Sequence, residues 1–215
     1  MNFSKFFLDL FFPKFCLFCQ KEGYFLCPDC RATFPVFATH IKKKINFLDD
    51  LYFALDYQEP RISFLVKKFK YFPFLKELGQ DLSFFLFEHF QTLEKKPDFS
   101  DFLVVPIPLE KEREKWRGFN QSEILALEIS KFFGLKMGNN LLERKKKTLP
   151  QAELNREERE KNIKGAFFLK GKLEKTKILL VDDVFTSGAT LKEAAKVLKE
   201  NGAKKVIGIV LAREF

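Results

Sequence analysis

Residues 179–190, LLVDDVFTSGAT, constrain this chain more than any other stretch. An uninterrupted apolar run meets two adjacent carboxylates, then a short loop of hydroxyls with one glycine, then helical spacing. Apolar residues without polar alternation suit a strand buried on both faces, which calls for a parallel sheet covered by helices. Ligands in such sheets sit beyond the carboxyl ends of the strands. Backbone N–H groups of Ser187, Gly188, Ala189 and Thr190 can converge at the helix start, with Gly188 permitting the tight turn. These amides and the helix dipole favour a phosphate, assisted by the hydroxyls of Thr186, Ser187 and Thr190. Asp182 and Asp183 can accept hydrogen bonds from a sugar diol or hold a magnesium ion. The plainer alternative, a turn with Thr186 or Ser187 capping the helix, leaves the paired acids unexplained.

The surrounding pattern agrees. Residues 102–107 (FLVVPI), 178–181 and 206–211 read as buried strands. Residues 124–133 and 191–198 read as helices stopped by Gly134 and Gly202. The expected fold class is therefore α/β with a mainly parallel central sheet. Three regions follow from composition: 1–35 with all four cysteines, 36–100 as an aromatic-rich connecting region or hood packed on the core, and 101–215 as the α/β domain.

A second cluster lies at 105–121, VPIPLEKEREKWRGFNQ. Pro106 and Pro108 constrain the exit from the first strand, and Arg113, Lys115 and Arg117 follow. A fixed backbone beside clustered cations is what a pyrophosphate site requires, with a solvated charged loop as the alternative. Trp116 and Phe119 stand among these cations, as a stacking platform for bases would require, or else they pack their own loop. The net charge of +9 attracts polyanions, and its surplus sits mainly in the C-terminal half. In the charged stretch 144–164, Gln151, Arg159 and Asn162 are candidate ligand contacts from a mobile lid. A solvated helix is the other reading, since Glu157 and Lys161 have the spacing of a surface pair.

The cysteines run Cys16-x₂-Cys19, seven residues, then Cys27-x₂-Cys30. Paired thiolates across a short loop match tetrahedral zinc, in a structural role because four sulfurs leave no open position. Disulfides are the alternative, disfavoured in a chain without a secretion signal. His40 and His89 have no ligand spacing. Residues 1–15 are apolar, but Asp9, Pro13 and Lys14 break the pattern of a signal peptide, and a short helix ending near Pro13 fits better. No run reaches the ~18 apolar residues of a membrane span, so a cytoplasmic protein without membrane insertion is expected.

Residues 179–190 resemble the ribose-phosphate loop of type I phosphoribosyltransferases. The resemblance implies that Asp182 and Asp183 contact the ribose 2′ and 3′ hydroxyls. It gives the 5′-phosphate to Thr186, Ser187, Gly188, Ala189 and Thr190. Purine-salvage members of the fold often carry an Asp where this chain has Thr186, which points away from hypoxanthine salvage. The match widens with Arg117-Gly118-Phe119-Asn120-Gln121, Arg144, Thr148, Gln151, Leu154, Arg159 and Asn162. It continues through Gly165-Ala166-Phe167, Gly202-Ala203 and Leu211-Ala212-Arg213, and takes in the cysteines and residues 57–70 (YQEPRISFLVKKFK). Over nearly its full length the chain resembles the ComF family of competence proteins, which are amidophosphoribosyltransferase-like. That resemblance implies phosphoribosyl pyrophosphate or a related phosphosugar as ligand, with magnesium. It also implies handling of single-stranded DNA during natural transformation, with a competence helicase as a conceivable partner. The alternative is an active phosphoribosyltransferase of nucleotide metabolism. No acceptor-recognition element is evident in the chain.

Overall fold

A computed structural model describes residues 13–42, 45–145 and 156–215, apart from the side chains at 156, 159 and 160. The short helix expected within residues 1–15 therefore falls largely outside the described residues. The chain divides into two compact units, Met1–Val36 and Phe37–Phe215.

In the first unit an antiparallel bridge joins Phe15 to Glu22. The backbone folds back so that Cys16 N–H donates to Lys21 O and Gly23 N–H to Lys14 O. Helix α1, Pro28–Arg31, has Cys27 at its N-cap position and proline at its start, where a missing N–H costs nothing.

The second unit is built on four parallel strands in the order β1-β6-β5-β2. These are β1 Asp50–Asp56, β2 Leu103–Pro106, β5 Lys177–Phe185 and β6 Lys205–Arg213. Their interiors are almost wholly buried, in keeping with their apolar runs. Among the described residues six helices accompany them: α2 Pro60–Lys70, α3 Leu78–Thr92, α4 Lys111–Arg117, α5 Gln121–Phe133, α6 Arg156–Ile163 and α7 Ala189–Glu200. A small antiparallel pair, β3 Leu142–Arg144 and β4 Phe167–Leu169, lies beside them.

One face of the sheet packs Leu51, Phe53, Leu103, Val105, Ile178 and Leu180 with Leu191, Ala194, Ala195 and Leu198 of α7. Helices α3 and α5 pack together and against the sheet, and Tyr52 of β1 meets His89 and Phe90 of α3. Helix α3 can approach α5 this closely because a Cβ on Gly79 would stand 2.7 Å from Ile124. His40 stacks on Tyr52, and His89 is fully buried with Nδ1 at 2.5 Å from the Phe37 carbonyl. Both histidines belong to this aromatic layer.

Both outer strands are flanked. Ile41 exchanges backbone hydrogen bonds with Leu51 of β1, and Phe37 N–H donates to Ala54 O. On β2, Val104 N–H donates to Lys136 O and Gly138 N–H to Val104 O.

The structure extends two sequence expectations. Strand β5 continues through the acids, since Asp182 pairs with Val210 and Val184 with Ala212. The region 36–100 contributes an edge strand of the central sheet, β1, in register with β6 from Asp50↔Ile207 to Asp56↔Arg213.

Candidate functional site

In the N-terminal unit the four Sγ atoms of Cys16, Cys19, Cys27 and Cys30 all lie within 4.8 Å of one another. The Cys19 and Cys27 sulfurs are 3.5 Å apart, and none of the four is in a disulfide. Zinc–sulfur bonds of ~2.3 Å in a tetrahedron require sulfurs roughly 3.8 Å apart, so the cluster fits such an ion. Burial works to raise Cys16, but the amides of Cys19, Cys27 and Phe18 outweigh it and bring the thiol down to about 6. Burial and the neighbouring thiols push Cys30 up to about 12. The Cys16 thiolate forms readily while Cys27 and Cys30 resist joining it, a conflict that a bound cation removes.

The second site is a cavity of about 640 Å³ in the Phe37–Phe215 unit. The end of β5 supplies Asp182 and Asp183. The loop into α7 supplies Thr186, Gly188, Ala189 and Thr190, helix α4 supplies Arg113, Trp116 and Arg117, and β3 supplies Arg144. Gly188 has φ +73°, and a Cβ there would lie 2.3 Å from the Phe185 ring, so the loop requires glycine on two counts. Asn120 at the N-cap position of α5 accepts from Ser122 N–H and donates to the Ile107 carbonyl. It thereby joins the exit of β2 to the start of α5.

The acids are firmly held. Asp182 Oδ1 accepts from Ser122 Oγ at 2.8 Å and from the Asp183 amide at 2.9 Å. Asp183 Oδ1 lies 2.8 Å from Lys70 Nζ, while its Oδ2 is buried with no hydrogen-bond partner among the described residues. Burial, reinforced by Asp183, pushes the Asp182 carboxyl up to about 7. Lys70 is lowered by burial, but Asp183 and Asp182 outweigh that and raise it. Arg117 is lowered by burial and donates through Nη1 to Gln121 Oε1. Arg144, 7% exposed, is pulled down to about 10 by burial and then by nearby Arg113. Guanidinium groups gathered at a cavity wall have the chemistry that suits anionic oxygens.

The structure thus brings together Asp182, Asp183, Thr186, Gly188, Ala189, Thr190, Arg113, Trp116 and Arg117. Other candidates lie elsewhere. Ser187 does not line the cavity; its hydroxyl accepts from Ala189 N–H and its carbonyl from Lys192. Lys115 is exposed on α4, and Asn162 sits on α6 away from the cavity lining. Gln151 and the Arg159 side chain lie outside the described residues. Phe119 is corrected: it is 7% exposed and stacks on Phe69 with ring centroids 5.6 Å apart, so it is core and offers no face to a base. The sequence reading missed Lys70 and Ser122, and named Arg144 only as a family match. Nothing in VKKFKY marks Lys70 out from Lys67 and Lys68.

The fold and the site define a phosphoribosyltransferase-fold protein, and residues 137–214 match the phosphoribosyl transferase domain family. The chain is 30% identical to competence protein F of Haemophilus influenzae over 211 residues, covering 92% of this chain and 90% of that protein. It is 37% identical over 128 residues to competence protein ComFC of Bacillus subtilis (57% of this chain, 49% of that one). The DNA utilization protein YhgH of Escherichia coli K12 is 35% identical over 103 residues, 48% of this chain and 45% of that one. The chain belongs to the competence protein F family. No described helix is long and apolar enough to cross a membrane.

Proposed function

We propose that the cavity binds a magnesium-complexed phosphoribosyl ligand of the phosphoribosyl pyrophosphate type, and that the protein handles single-stranded DNA during natural transformation. The observation that carries the first part is that a buried acidic pair, a glycine-turned helix start and Arg113, Arg117 and Arg144 all line one cavity. Asp182 and Asp183 take the ribose hydroxyls. Thr186, Thr190 and the loop amides hold the 5′-phosphate, and the arginines hold the pyrophosphate. Magnesium bound with the ligand supplies charge neutralisation of the pyrophosphate. The four cysteines hold a structural zinc ion. Calorimetric titration of the zinc-loaded protein with phosphoribosyl pyrophosphate and magnesium tests this reading. Binding is expected in the native chain and absent in folded Asp182→Asn/Asp183→Asn; no binding by the native chain overturns it.

The DNA part draws on the relatives' names, on the net charge of +9 and on exposed rings. Trp116 is 66% exposed and meets Phe74 edge-on with centroids 4.7 Å apart, and Phe72 is 82% exposed beside Phe74. Aromatic faces beside cations suit stacking of successive bases. Turnover to an acceptor is the second reading, favoured by the arginines, which could stabilise departing pyrophosphate. Pyrophosphate release that depends on one added acceptor would establish it.

A further inference from the structure

Two adjacent buried carboxylates are the usual beginning of a divalent-cation site. Here the pair is already engaged. Asp182 Oδ1 takes two donors, from Ser122 and the Asp183 amide, and Asp183 Oδ1 takes the Lys70 ammonium at 2.8 Å. Asp183 Oδ2 remains buried and without a hydrogen-bond partner among the described residues, on a residue that lines the cavity and is 3% exposed.

Lys70 is placed by packing. It is the last residue of α2, whose Ile62, Leu65, Val66 and Phe69 are buried. Phe69 stacks on Phe119, and Tyr71 N–H closes the helix on Lys67 O. The anchored backbone delivers a flexible stem ending in a compact point charge. Such a charge can neutralise one carboxylate oxygen without covering the other, which a planar guanidinium does less readily.

We propose that Lys70 is the resident cation of the acidic pair. It holds Asp183 in one orientation through Oδ1 and keeps free divalent cations off both carboxylates. The divalent ion then enters only as a complex with the phosphosugar. This positioning role rests on the ligand reading above, but its test does not use the phosphosugar.

The test titrates manganese alone into the protein already saturated with zinc, so that the thiolates do not report, and follows bound manganese by electron paramagnetic resonance. The native chain is expected to match Asp182→Asn/Asp183→Asn, with no manganese attributable to the pair. Lys70→Met, which keeps the apolar stem, is expected to gain a site at least about tenfold tighter than any in the native chain, lost again in Lys70→Met/Asp183→Asn. Lys70→Gln serves if the methionine variant does not fold. Manganese bound by the native chain and lost in the double asparagine variant overturns the proposal. So does a folded Lys70 variant that gains no site. Failure of the native chain to bind phosphoribosyl pyrophosphate would sink the ligand reading and leave the manganese result intact.

Discussion

The two sites of this molecule are built in opposite ways. The cysteine cluster draws four identical side chains from fifteen consecutive positions, between Cys16 and Cys30, and its chemistry is complete within that loop. The cavity of the larger unit draws on the ends of α2, β2 and β5, on β3, on α4 and on the starts of α5 and α7, spanning Tyr57 to Glu214. A local site survives or fails with its own few residues. A distributed site fails by degrees, because each contributor is held by a different piece of the core.

The comparison breaks most visibly at the cysteines. Zinc removal by a chelator should cost the Met1–Val36 unit on the order of 10 kcal/mol and unfold it, with Cys27→Ser acting in the same direction by weakening the metal's hold. Far-ultraviolet circular dichroism and limited proteolysis should show that loss, with the Phe37–Phe215 unit still resistant. Coincident loss of both units would contradict their independence.

Within the larger unit the two rings once paired as a platform should separate. Phe119→Ala removes a buried stacked ring and should destabilise the fold by about 3–5 kcal/mol in urea unfolding. The acidic pair sharpens the contrast further. With its folded pKa raised to about 7 from an ordinary value of 3.8, Asp182 retains in the folded state a proton that the unfolded chain releases. Its contribution to stability therefore falls as pH rises from about 4 to 7. Asp182→Asn should be near neutral around pH 4.5 and stabilising by about 2–4 kcal/mol at pH 8. An advantage that does not grow with pH would mean that Asp182 ionises normally. Smallest is Trp116→Ala: oligonucleotide affinity at low salt should drop by about 1–3 kcal/mol with urea stability unchanged. Unchanged affinity would remove Trp116 from the proposed DNA contact.

The same contrast explains what could be read in the residues beforehand. The Cys-x₂-Cys spacing, the strand-to-helix turn at Gly188 and the three large buried strands are local patterns, and they were legible as such. The end of β5 was set too early, at Val181, because charged residues usually leave a sheet, whereas here backbone pairing to β6 carries the strand through both acids. Phe119 was misread because it follows Trp116 by only three positions. Between them Gly118, at φ +81°, ends α4 and reverses the chain, leaving Trp116 on an exposed helix and Phe119 against Phe69. Lys70 was invisible for another reason: its partner Asp183 lies more than a hundred residues away, and only the packing of α2 brings them together.

The flanking of β1 by Phe37 and Ile41, and of β2 by Lys136 and Gly138, has a bearing on how the protein meets others. An open sheet margin is an adhesive strip that any extended chain can join, whatever its side chains. With both margins partly occupied, recognition shifts toward the surface chemistry of rings and charges. A crowded solution of this protein then has little to gain from lining up strands between copies.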